Sequence, residues 1–151
     1  MDDTVHASVA RLRHFGILIR GASGSGKSSL LLALLDDSEA ILVADDRARL
    51  RVEGGRVVAC APEAIAGRME IRGVGIVCRP YAASTAIDLV VDILPLPECP
   101  RLPSEEERRA VLAGIEVPRI FIAVGAPDGA LRVRTALDWL TADIYEQDTD
   151  K

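Results

Sequence analysis

A complete phosphate-binding loop at residues 21–28 constrains the fold of this chain more than any other feature. The residues read Gly-Ala-Ser-Gly-Ser-Gly-Lys-Ser, so that Gly21 and Gly26 enclose four residues and are followed by Lys27 and Ser28. Glycines let the backbone turn so that successive N–H groups point at one anion. The lysine brings positive charge to the β- and γ-phosphates of a nucleotide, and the serine hydroxyl is suited to Mg²⁺. The motif therefore predicts a binding site for nucleotide phosphates.

The segments on either side of the loop favour this interpretation over a plain glycine-rich turn. Phe15–Arg20 is a short apolar run typical of a buried strand, and Ser28–Leu35 is rich in leucine and alanine, as helices are. A strand, a loop and a helix in this order aim the helix N-terminus at phosphate. We therefore expect nucleotide contacts from nine consecutive residues: Gly21, Ala22, Ser23, Gly24, Ser25, Gly26, Lys27, Ser28 and Ser29.

Size and composition limit the class of protein. A chain of 151 residues with 49% apolar content predicts one domain over residues 1–151. No apolar run reaches the roughly 18 residues that span a bilayer, and the acidic Met1–Thr4 does not resemble a signal peptide, so we expect a cytoplasmic protein without a membrane partner. A net charge of −5 and only 3% aromatic residues argue against nucleic acid as a partner. The odd number and wide spacing of Cys60, Cys78 and Cys99 predict reduced thiols.

Hydrophobic patterning predicts an α/β fold with a mixed sheet. The predicted strands are Val5–Leu12, Gly16–Arg20, Ala40–Ala44, Arg49–Val52, Arg56–Ala59, Ile87–Ile93 and Pro118–Val124. Turns are expected at 13–14 and 54–55, and a proline-rich loop at Leu94–Pro103. Several of these strands form predicted hairpins, so we expect antiparallel pairing beside any parallel pairing, unlike the mainly parallel sheet of an ordinary P-loop fold.

Three further segments are predicted to be helical. Pro62–Ala66 has a proline at the start of a possible single turn. Ser104 and Glu107 have the spacing of a capping box and predict a helix that begins there. Asp128 is a candidate cap for the last helix. The apolar residues expected to share one face of that helix are Val133, Leu137, Leu140 and Ile144.

Two adjacent carboxylates, Asp45 and Asp46, follow the predicted strand that comes after the first helix. A carboxylate that binds Mg²⁺ or water is expected at this position in phosphoryl transfer. One of the pair is suited to face a metal ion, and the other to take a proton from an attacking hydroxyl. The alternative is an Asx turn that merely closes the strand.

Three other residues are candidates for which an ordinary structural role is the alternative. Glu70 lies between two arginines and just before two glycines; it is suited to hold Mg²⁺, or it belongs to an exposed strand with a bulge. His6 lies on the strand expected to pair with the one that enters the loop, where a surface or core role is the alternative. Arg101 is in the proline-rich loop, where mobile charged residues close on phosphate or remain solvated.

Taken together, these segments resemble the catalytic domain of the HPr kinase/phosphorylase family. The resemblance covers roughly residues 4–140 and is carried by the following segments: Val5-His6, Gly16 to Gly21, Val43 to Arg47, Met69 to Val77, Arg101-Leu102, and Glu105 to Ile120. The combination is specific, whereas the phosphate-binding loop alone is common to many families.

The resemblance implies a P-loop kinase fold shared with phosphoenolpyruvate carboxykinase, with ATP and Mg²⁺ as cofactors. It implies phosphorylation of a serine on an HPr-like phosphocarrier, and the reverse phosphorolysis by inorganic phosphate. The family's functional positions fall on His6, Lys27, Ser28, Asp46, Glu70 and Arg101. Ser28, Glu70 and Asp46 are the implied metal-site residues, and Asp46, with Asp45 as its near alternative, is the implied base. A hexamer is implied as well.

Three departures from the family pattern stand out. The resemblance covers a catalytic domain without the family's usual N-terminal domain. Ser29 occupies a position where the family usually has glutamate. Residues 125–128 read Gly-Ala-Pro-Asp where the family usually has an arginine-rich stretch tied to dephosphorylation, so we expect weak or absent phosphorolysis. A small-molecule kinase and a nucleotide-sensing regulatory domain are the alternative functions.

Overall fold

The computed structural model of this chain describes residues 3–141, which form eleven strands and two α-helices. The strands are β1 Asp3–Val5, β2 Ser8–Leu12, β3 Phe15–Gly21, β4 Ala40–Ala44, β5 Ala48–Glu53, β6 Arg56–Cys60, β7 Arg68–Ile71, β8 Gly75–Cys78, β9 Thr85–Leu94, β10 Arg109–Leu112 and β11 Ile115–Ala123. The helices are α1 Lys27–Leu35 and α2 Gly129–Thr141, and short 3-10 turns occur at Glu63–Ile65 and Leu96–Glu98.

Nine of these strands form one mixed sheet around the long strand β9. The strand order is β1-β5-β6-β9-β3-β2-β4, and β11 also pairs with β9 and carries β10 at its side. β9 runs parallel to β3 and β11, whereas the other pairs within this sheet are antiparallel. The prediction of an α/β fold with a mixed sheet is therefore confirmed.

The sheet separates two hydrophobic clusters because its strands alternate their side chains. On β3, Ile17 and Ile19 pack with both helices on one face, while Leu18 belongs to the cluster on the other. α1 contributes Leu31 and Leu34, which are fully buried. Burial of each such leucine stabilises the fold by about 1.5–3 kcal/mol.

The parallel strands bring three loops to one edge of the sheet. Gly21 at the end of β3 is in register with Ile93 near the end of β9. After β11, the N–H of Val124 donates to the carbonyl oxygen of Leu94 at 2.9 Å. The carboxyl ends of parallel strands are where α/β sheets bind ligands. The phosphate-binding loop, the proline-rich loop and the turn after β11 therefore start from the same edge.

The predicted hairpin around Gly54 and Gly55 is confirmed. Both glycines have positive φ, 58° and 78°, as the two central residues of a type I′ turn require. β5 and β6 pair antiparallel on either side of this turn. The single 3-10 turn that follows, Glu63–Ile65, lies within the predicted segment.

The prediction of one strand over Val5–Leu12 was wrong, because the strand is interrupted at His6 and Ala7. The segment before the break, β1, pairs with β5, and the segment after it, β2, pairs with β3 and β4. At the break, the N–H of Ala7 donates to the carbonyl oxygen of Asp46 at 3.1 Å. A tertiary contact to the acidic pair thus interrupts a run that alternates well enough for one strand.

The predicted helix at Ser104 was also wrong, although its capping box forms. The N–H of Ser104 donates to Glu107 Oε1 at 2.9 Å, and the N–H of Glu107 donates to Ser104 Oγ at 3.1 Å. Only one turn follows before β10 begins at Arg109. Residues 109–112 alternate exposed and buried side chains and pair with β11, and this pairing wins over the local helical signal.

The last helix is confirmed from Gly129, directly after Asp128, whose carbonyl accepts from the N–H of Arg132 at 3.0 Å. Of its predicted apolar face, Val133 and Leu137 are fully buried, Leu140 is 46% exposed, and Ile144 lies outside the described residues. No helix in the described range is long and apolar enough to cross a membrane.

One ion pair joins α2 to the turn after α1. The N–H of Glu39 donates to Asp37 at 2.8 Å, and Arg134 Nε lies 3.3 Å from the other carboxylate oxygen. The hydrogen bond from the Glu39 N–H is the largest cause that holds the pKa of Asp37 below its ordinary value; burial opposes it, and Arg134 and Arg13 add to the lowering. Arg134 is thereby engaged at the far end of α1, away from the phosphate-binding loop.

Candidate active site

The phosphate-binding loop has the backbone conformation that its glycines predict. Gly24 and Gly26 have φ of 81° and 106°, in the left-handed region, and a Cβ at either position would meet open space. Conformation rather than crowding therefore requires glycine there. A Cβ on Gly21 would instead lie 2.4 Å from Ser25 Oγ, so this position needs glycine for space. α1 begins at Lys27, directly after Gly26.

The loop encloses groups suited to an anion. Lys27 is only 5% exposed, and its Nζ donates to the carbonyl oxygens of Gly21 at 2.9 Å and Ala22 at 3.2 Å. A lysine folded onto its own loop has its charge beside the place where phosphate binds. The Ser25 hydroxyl is buried and has no hydrogen-bond partner in the described part of the chain. A phosphate oxygen in this loop would satisfy it.

Asp45 connects three elements at the centre of the site. It follows β4, is 7% exposed, and its Oδ1 accepts the hydroxyl of Ser28 at 2.7 Å and that of Ser8 at 3.2 Å. Its Oδ2 accepts the backbone N–H of Glu70 at 3.2 Å. Three donors on one carboxylate fix its orientation. The first carboxylate of the pair is therefore the one beside the phosphate-binding loop.

Asp46 points to solvent, away from the interior where Asp45 lies. Its side chain is 53% exposed, and its Oδ1 lies 3.5 Å from Nδ1 of His6. Asp46 has a φ of 69°, which is rare for non-glycine residues. Where such residues do occur, they are frequently at functional sites. His6 and Asp46, two residues predicted from separate strands, are brought together by this geometry. The adjacent carboxylates thus lie in different environments, one buried against Ser28 and one open to a substrate.

Glu70 lies on a separate two-stranded sheet, β7 and β8, that is attached to the site. Residues 68–78 form this hairpin instead of the single bulged strand that was one interpretation of the sequence. Met69 is 1% exposed and anchors β7 in the core beside α1, while the Glu70 side chain is exposed. The hydrogen bond from the Glu70 backbone N–H to Asp45 therefore places the backbone of Glu70 next to Asp45 and its partner Ser28.

Arg101 is exposed in the proline-rich loop that leaves β9. The loop has little regular structure beyond the 3-10 turn at Leu96–Glu98, as predicted. Its start at Pro95 is two residues after Ile93, which pairs with Gly21. The loop that carries Arg101 therefore begins beside the phosphate-binding loop.

The described residues offer a partial set of metal ligands and not a preformed cage. Among residues 3–141, no group of three or more histidine, cysteine, aspartate or glutamate side chains is arranged to hold a metal ion. Mg²⁺ is usually held by one or two carboxylates, with phosphates and water completing its octahedron. The Ser28 hydroxyl, the Asp45 carboxylate and the nearby Glu70 offer such a partial set.

An ion-pair network, which sequence patterns did not indicate, ties the loops together. Arg20, one residue before Gly21, donates through Nε and Nη2 to both oxygens of Asp92, at 2.8 and 2.9 Å. Arg119 donates to Asp92 Oδ2 at 3.2 Å and to the carbonyl oxygen of Glu107 at 2.8 Å. The carboxylate of Asp92 is 14% exposed, so this network is largely shielded from solvent.

Ser8 is the other residue that the motifs missed. It is fully buried at the start of β2, and its hydroxyl contacts both Asp45 and the backbone N–H of Asp46. The available signal was a lone serine within an apolar strand, since a buried hydroxyl needs a partner.

A cleft of about 360 Å³ lies at the end of the sheet away from the phosphate-binding loop. It is lined in part by Phe15, Arg56, Asp88 and Pro118. Phe15 and Gly21 are the two ends of β3, so the cleft is about 20 Å from the phosphate-binding loop at roughly 3.3 Å per residue. Asp88 is already paired with Arg56 and with the N–H of Gly16. None of the predicted site residues lines this cleft.

The strand–loop–helix unit, the lysine enclosed by the loop and the paired Ser28 and Asp45 are the features of a P-loop domain. The protein-family model of the HPr Serine kinase C-terminal domain matches residues 1–130, and the chain belongs to this family.

Similar proteins carry the family name. The HPr kinase/phosphorylase of Lactobacillus acidophilus is 31% identical over 133 residues, which are 81% of this chain and 41% of that protein. The one of Geobacillus thermodenitrificans is 37% identical over 131 residues, 80% of this chain and 42% of that protein. This chain thus spans about two fifths of the length of these curated relatives.

A solved structure shares the fold over nearly its whole length. The Hpr(Ser) kinase/phosphatase from Coxiella burnetii superimposes with a TM-score of 0.80 at 26% sequence identity. The match covers 92% of this chain and 96% of that one. The resemblance inferred from the sequence is therefore confirmed for the family and for the fold.

Proposed function

We propose that this chain is the catalytic domain of an ATP- and Mg²⁺-dependent kinase that phosphorylates a serine on an HPr-like phosphocarrier. The observation that carries the proposal is the division of labour at residues 45–46. Asp45 is hydrogen-bonded to Ser28 of the phosphate-binding loop, and Asp46 is paired with His6 at the surface. One carboxylate is thus suited to the nucleotide and its metal, and the other to an incoming protein hydroxyl.

The loop binds the nucleotide through its backbone and Lys27. The N–H groups at the start of α1 and in the loop hold the phosphates. Lys27 leaves the carbonyl oxygens of Gly21 and Ala22 for the β- and γ-phosphates, where its charge offsets the negative charge of the transition state. The buried Ser25 hydroxyl gains a phosphate acceptor in the same step.

The side chains of Ser28, Asp45 and Glu70 are suited to hold Mg²⁺ beside the phosphates. The Ser28 hydroxyl still donates its hydrogen bond to Asp45 while its oxygen faces the metal. The exposed carboxylate of Glu70 approaches the same region from β7. When bound, the ion neutralises charge on the β- and γ-phosphates and orients them. Asp46 was the other metal candidate, but its pairing with His6 favours a role as the base.

Asp46 accepts the proton of the substrate serine. The serine oxygen forms a bond to the γ-phosphorus, the bond from that phosphorus to the bridging oxygen of ADP breaks, and the hydroxyl proton moves to the Asp46 carboxylate. His6 holds that carboxylate from the other side and keeps it at the surface. The exposure of both residues suits a substrate that is a protein rather than a small molecule enclosed in a pocket.

The reverse reaction, phosphorolysis, is weak or absent in this proposal. It requires capture of inorganic phosphate, for which arginines are suited. The turn after β11 has none, and the two arginines that follow on α2 are paired: Arg132 with Asp128 at 3.0 Å, and Arg134 with Asp37. Neither is directed to a phosphate by these contacts. The domain works in the cytoplasm in this proposal, and the implied hexamer stays a prediction.

The test is phosphate transfer from radiolabelled ATP to purified HPr-like carriers, including sugar-branch and nitrogen-branch types, with the labelled residue mapped by mass spectrometry. We expect label on one serine, dependence on Mg²⁺, and no label on a carrier in which that serine is alanine. Binding of ATP without transfer to any carrier would favour the nucleotide-sensing alternative, and transfer to a metabolite would favour the small-molecule kinase.

A further inference from the structure

Ser8 has a buried hydroxyl whose two partners are the two members of the acidic pair. The residue is 0% exposed, and its Oγ donates to Asp45 Oδ1 at 3.2 Å and accepts from the backbone N–H of Asp46 at 3.0 Å. Loss of this hydroxyl would leave the Asp46 N–H without this partner, and an unpaired buried polar group is destabilising. One side chain on β2 therefore contacts the carboxylate of Asp45 and the backbone of Asp46.

The hydroxyl supports a turn that needs support. Asp46 has a φ of 69°, in the left-handed region, which is unfavourable for a non-glycine residue and persists only where its surroundings hold it. Two further hydrogen bonds hold the backbone of the turn: the Ala7 N–H donates to the Asp46 carbonyl at 3.1 Å, and the Arg47 N–H donates to the Asp45 carbonyl at 2.8 Å. Among these contacts, only the one from Ser8 comes from a side chain. This turn is what sends Asp45 inward and Asp46 outward.

The hydroxyl also shares an acceptor with the phosphate-binding loop. Ser8 and Ser28 both donate to Oδ1 of Asp45, from opposite elements, β2 and α1. Removing the Ser8 donor leaves only Ser28 and the Glu70 N–H among these three donors on the carboxylate, so the oxygen that faces Ser28 is held less firmly. A displacement of about 1 Å at a catalytic group can cost on the order of 100-fold in rate.

We propose that Ser8 is a positioning residue for phosphoryl transfer, which holds Asp45 against Ser28 and fixes the turn that presents Asp46 to His6. The inference rests on the proposed function, because it gives the two carboxylates their roles. It adds a residue that does not itself touch nucleotide, metal or substrate.

The test compares Ser8→Thr with Ser8→Val, since threonine and valine have nearly the same shape and differ in the hydroxyl. We expect Ser8→Thr to keep most of the activity. Ser8→Val and Ser8→Ala should lower kcat about 10- to 100-fold, as loss of residues that orient metal ligands does, and raise the Mg²⁺ concentration for half-maximal rate. The KM for ATP at saturating Mg²⁺ should change little. Ser38→Ala, an exposed serine between α1 and β4, is the matched control.

The readouts separate positioning from folding. Rates are expressed per nucleotide-binding site, measured by ADP titration, so that a loss of folded protein alone leaves kcat unchanged. Equal kcat and equal Mg²⁺ dependence in the threonine and valine variants would overturn the inference. If the valine variant does not fold, Ser8→Ala against Ser8→Thr gives the same comparison.

The same variants distinguish a failure of this inference from a failure of the proposed function. If the wild type transfers no phosphate to any carrier, the Mg²⁺ dependence of ATP binding still compares Ser8→Thr with Ser8→Val. A weaker Mg²⁺ effect in the valine variant then supports the positioning of Asp45, and an equal effect refutes it. A wild type that binds no ATP with Mg²⁺ overturns both proposals.

Discussion

At the scale of single residues, the site depends on charges and hydroxyls whose partners come from distant parts of the chain. Lys27 is buried and rests on loop carbonyls, Asp45 is buried and receives three hydrogen bonds, and Asp46 is exposed beside His6. Burial keeps water away from Lys27 and Asp45, which strengthens their interactions with phosphate and metal. Exposure of Asp46 leaves it open to a macromolecular substrate.

Lys27→Ala should abolish phosphate transfer while the domain stays folded. The variant removes the positive charge beside the transferring phosphate, and loss of a single electrostatic stabiliser of the transition state typically lowers kcat by about 10²–10³-fold. The measurement is the initial rate of carrier labelling, with circular dichroism and thermal unfolding as the check on folding. Lys27→Arg is the control that keeps the charge. Turnover at the wild-type rate in a clean preparation of the alanine variant contradicts the assignment of the loop.

Replacing each aspartate of the pair with asparagine should give two different defects. Asp46→Asn removes the base and should lower kcat about 10²–10⁴-fold while ATP binding stays near normal. Asp45→Asn weakens the partner of Ser28 and should raise the Mg²⁺ concentration needed for nucleotide binding.

The measurements are steady-state rates and Mg²⁺-dependent ATP titrations on both variants. Their shared position in the chain makes each the control for the other. Identical defects in the two variants would show that the burial difference does not divide their roles.

At the scale of elements, local signals predicted what local chemistry decides. The strand β3, the loop and α1 followed from glycine spacing and apolar runs, and the hairpin at 54–55 followed from its two glycines. The helix at Ser104 failed because pairing of β10 with β11 outweighs a capping box. Likewise, the choice of Asp45 as the partner of Ser28 depends on a turn held by Ser8, 37 residues away, which no local pattern encodes.

Arg101→Ala should lower the rate of transfer more than it weakens nucleotide binding. The loop from Pro95 to Pro103 starts beside the phosphate-binding loop, and its arginine is exposed and available to close on the transferred phosphate. The measurement is kcat beside the Kd for ATP. An unchanged turnover number removes Arg101 from the site.

The Asp92 network should act on the same loop. Arg119 links Asp92 to the carbonyl oxygen of Glu107, which lies shortly after the proline-rich loop. Arg20 links Asp92 to the start of the phosphate-binding loop. Asp92→Asn should speed tryptic cleavage after Arg101 and lower kcat, and its effect should be non-additive with that of Arg101→Ala, by about 0.5–3 kcal/mol as for coupled residues. Glu105→Gln, in an exposed pair, is the control. Additive effects would show that network and loop act independently.

At the scale of the whole molecule, one sheet edge gathers every proposed functional group. β3 and β9 end together there, β4 brings the acidic pair, and the β7–β8 hairpin brings Glu70. The turn after β11 lies at the same edge, where Val124 is bonded to Leu94. The composition of that turn therefore bears on which direction of the reaction the domain supports.

Phosphorolysis should be slow relative to the kinase reaction. The turn Gly125–Asp128 offers no arginine for inorganic phosphate, and Arg132, which follows it, is paired with Asp128. The measurement gives the enzyme its serine-phosphorylated carrier with millimolar phosphate and no nucleotide, and follows pyrophosphate. Release at a rate comparable to the forward reaction contradicts the role given to this turn.

The central claim is that nucleotide, metal and base meet at residues 21–28, 45–46 and 70, and a structure with Mg²⁺ and a non-hydrolysable ATP analogue tests it most directly. We expect Lys27 Nζ to have left the carbonyls of Gly21 and Ala22 for the β- and γ-phosphates. Ser28 Oγ should lie about 2.0–2.1 Å from the ion, with Asp45 and Glu70 ligating it directly or through water. A nucleotide bound elsewhere, or a metal far from Ser28 with Lys27 still on its loop carbonyls, would contradict the claim.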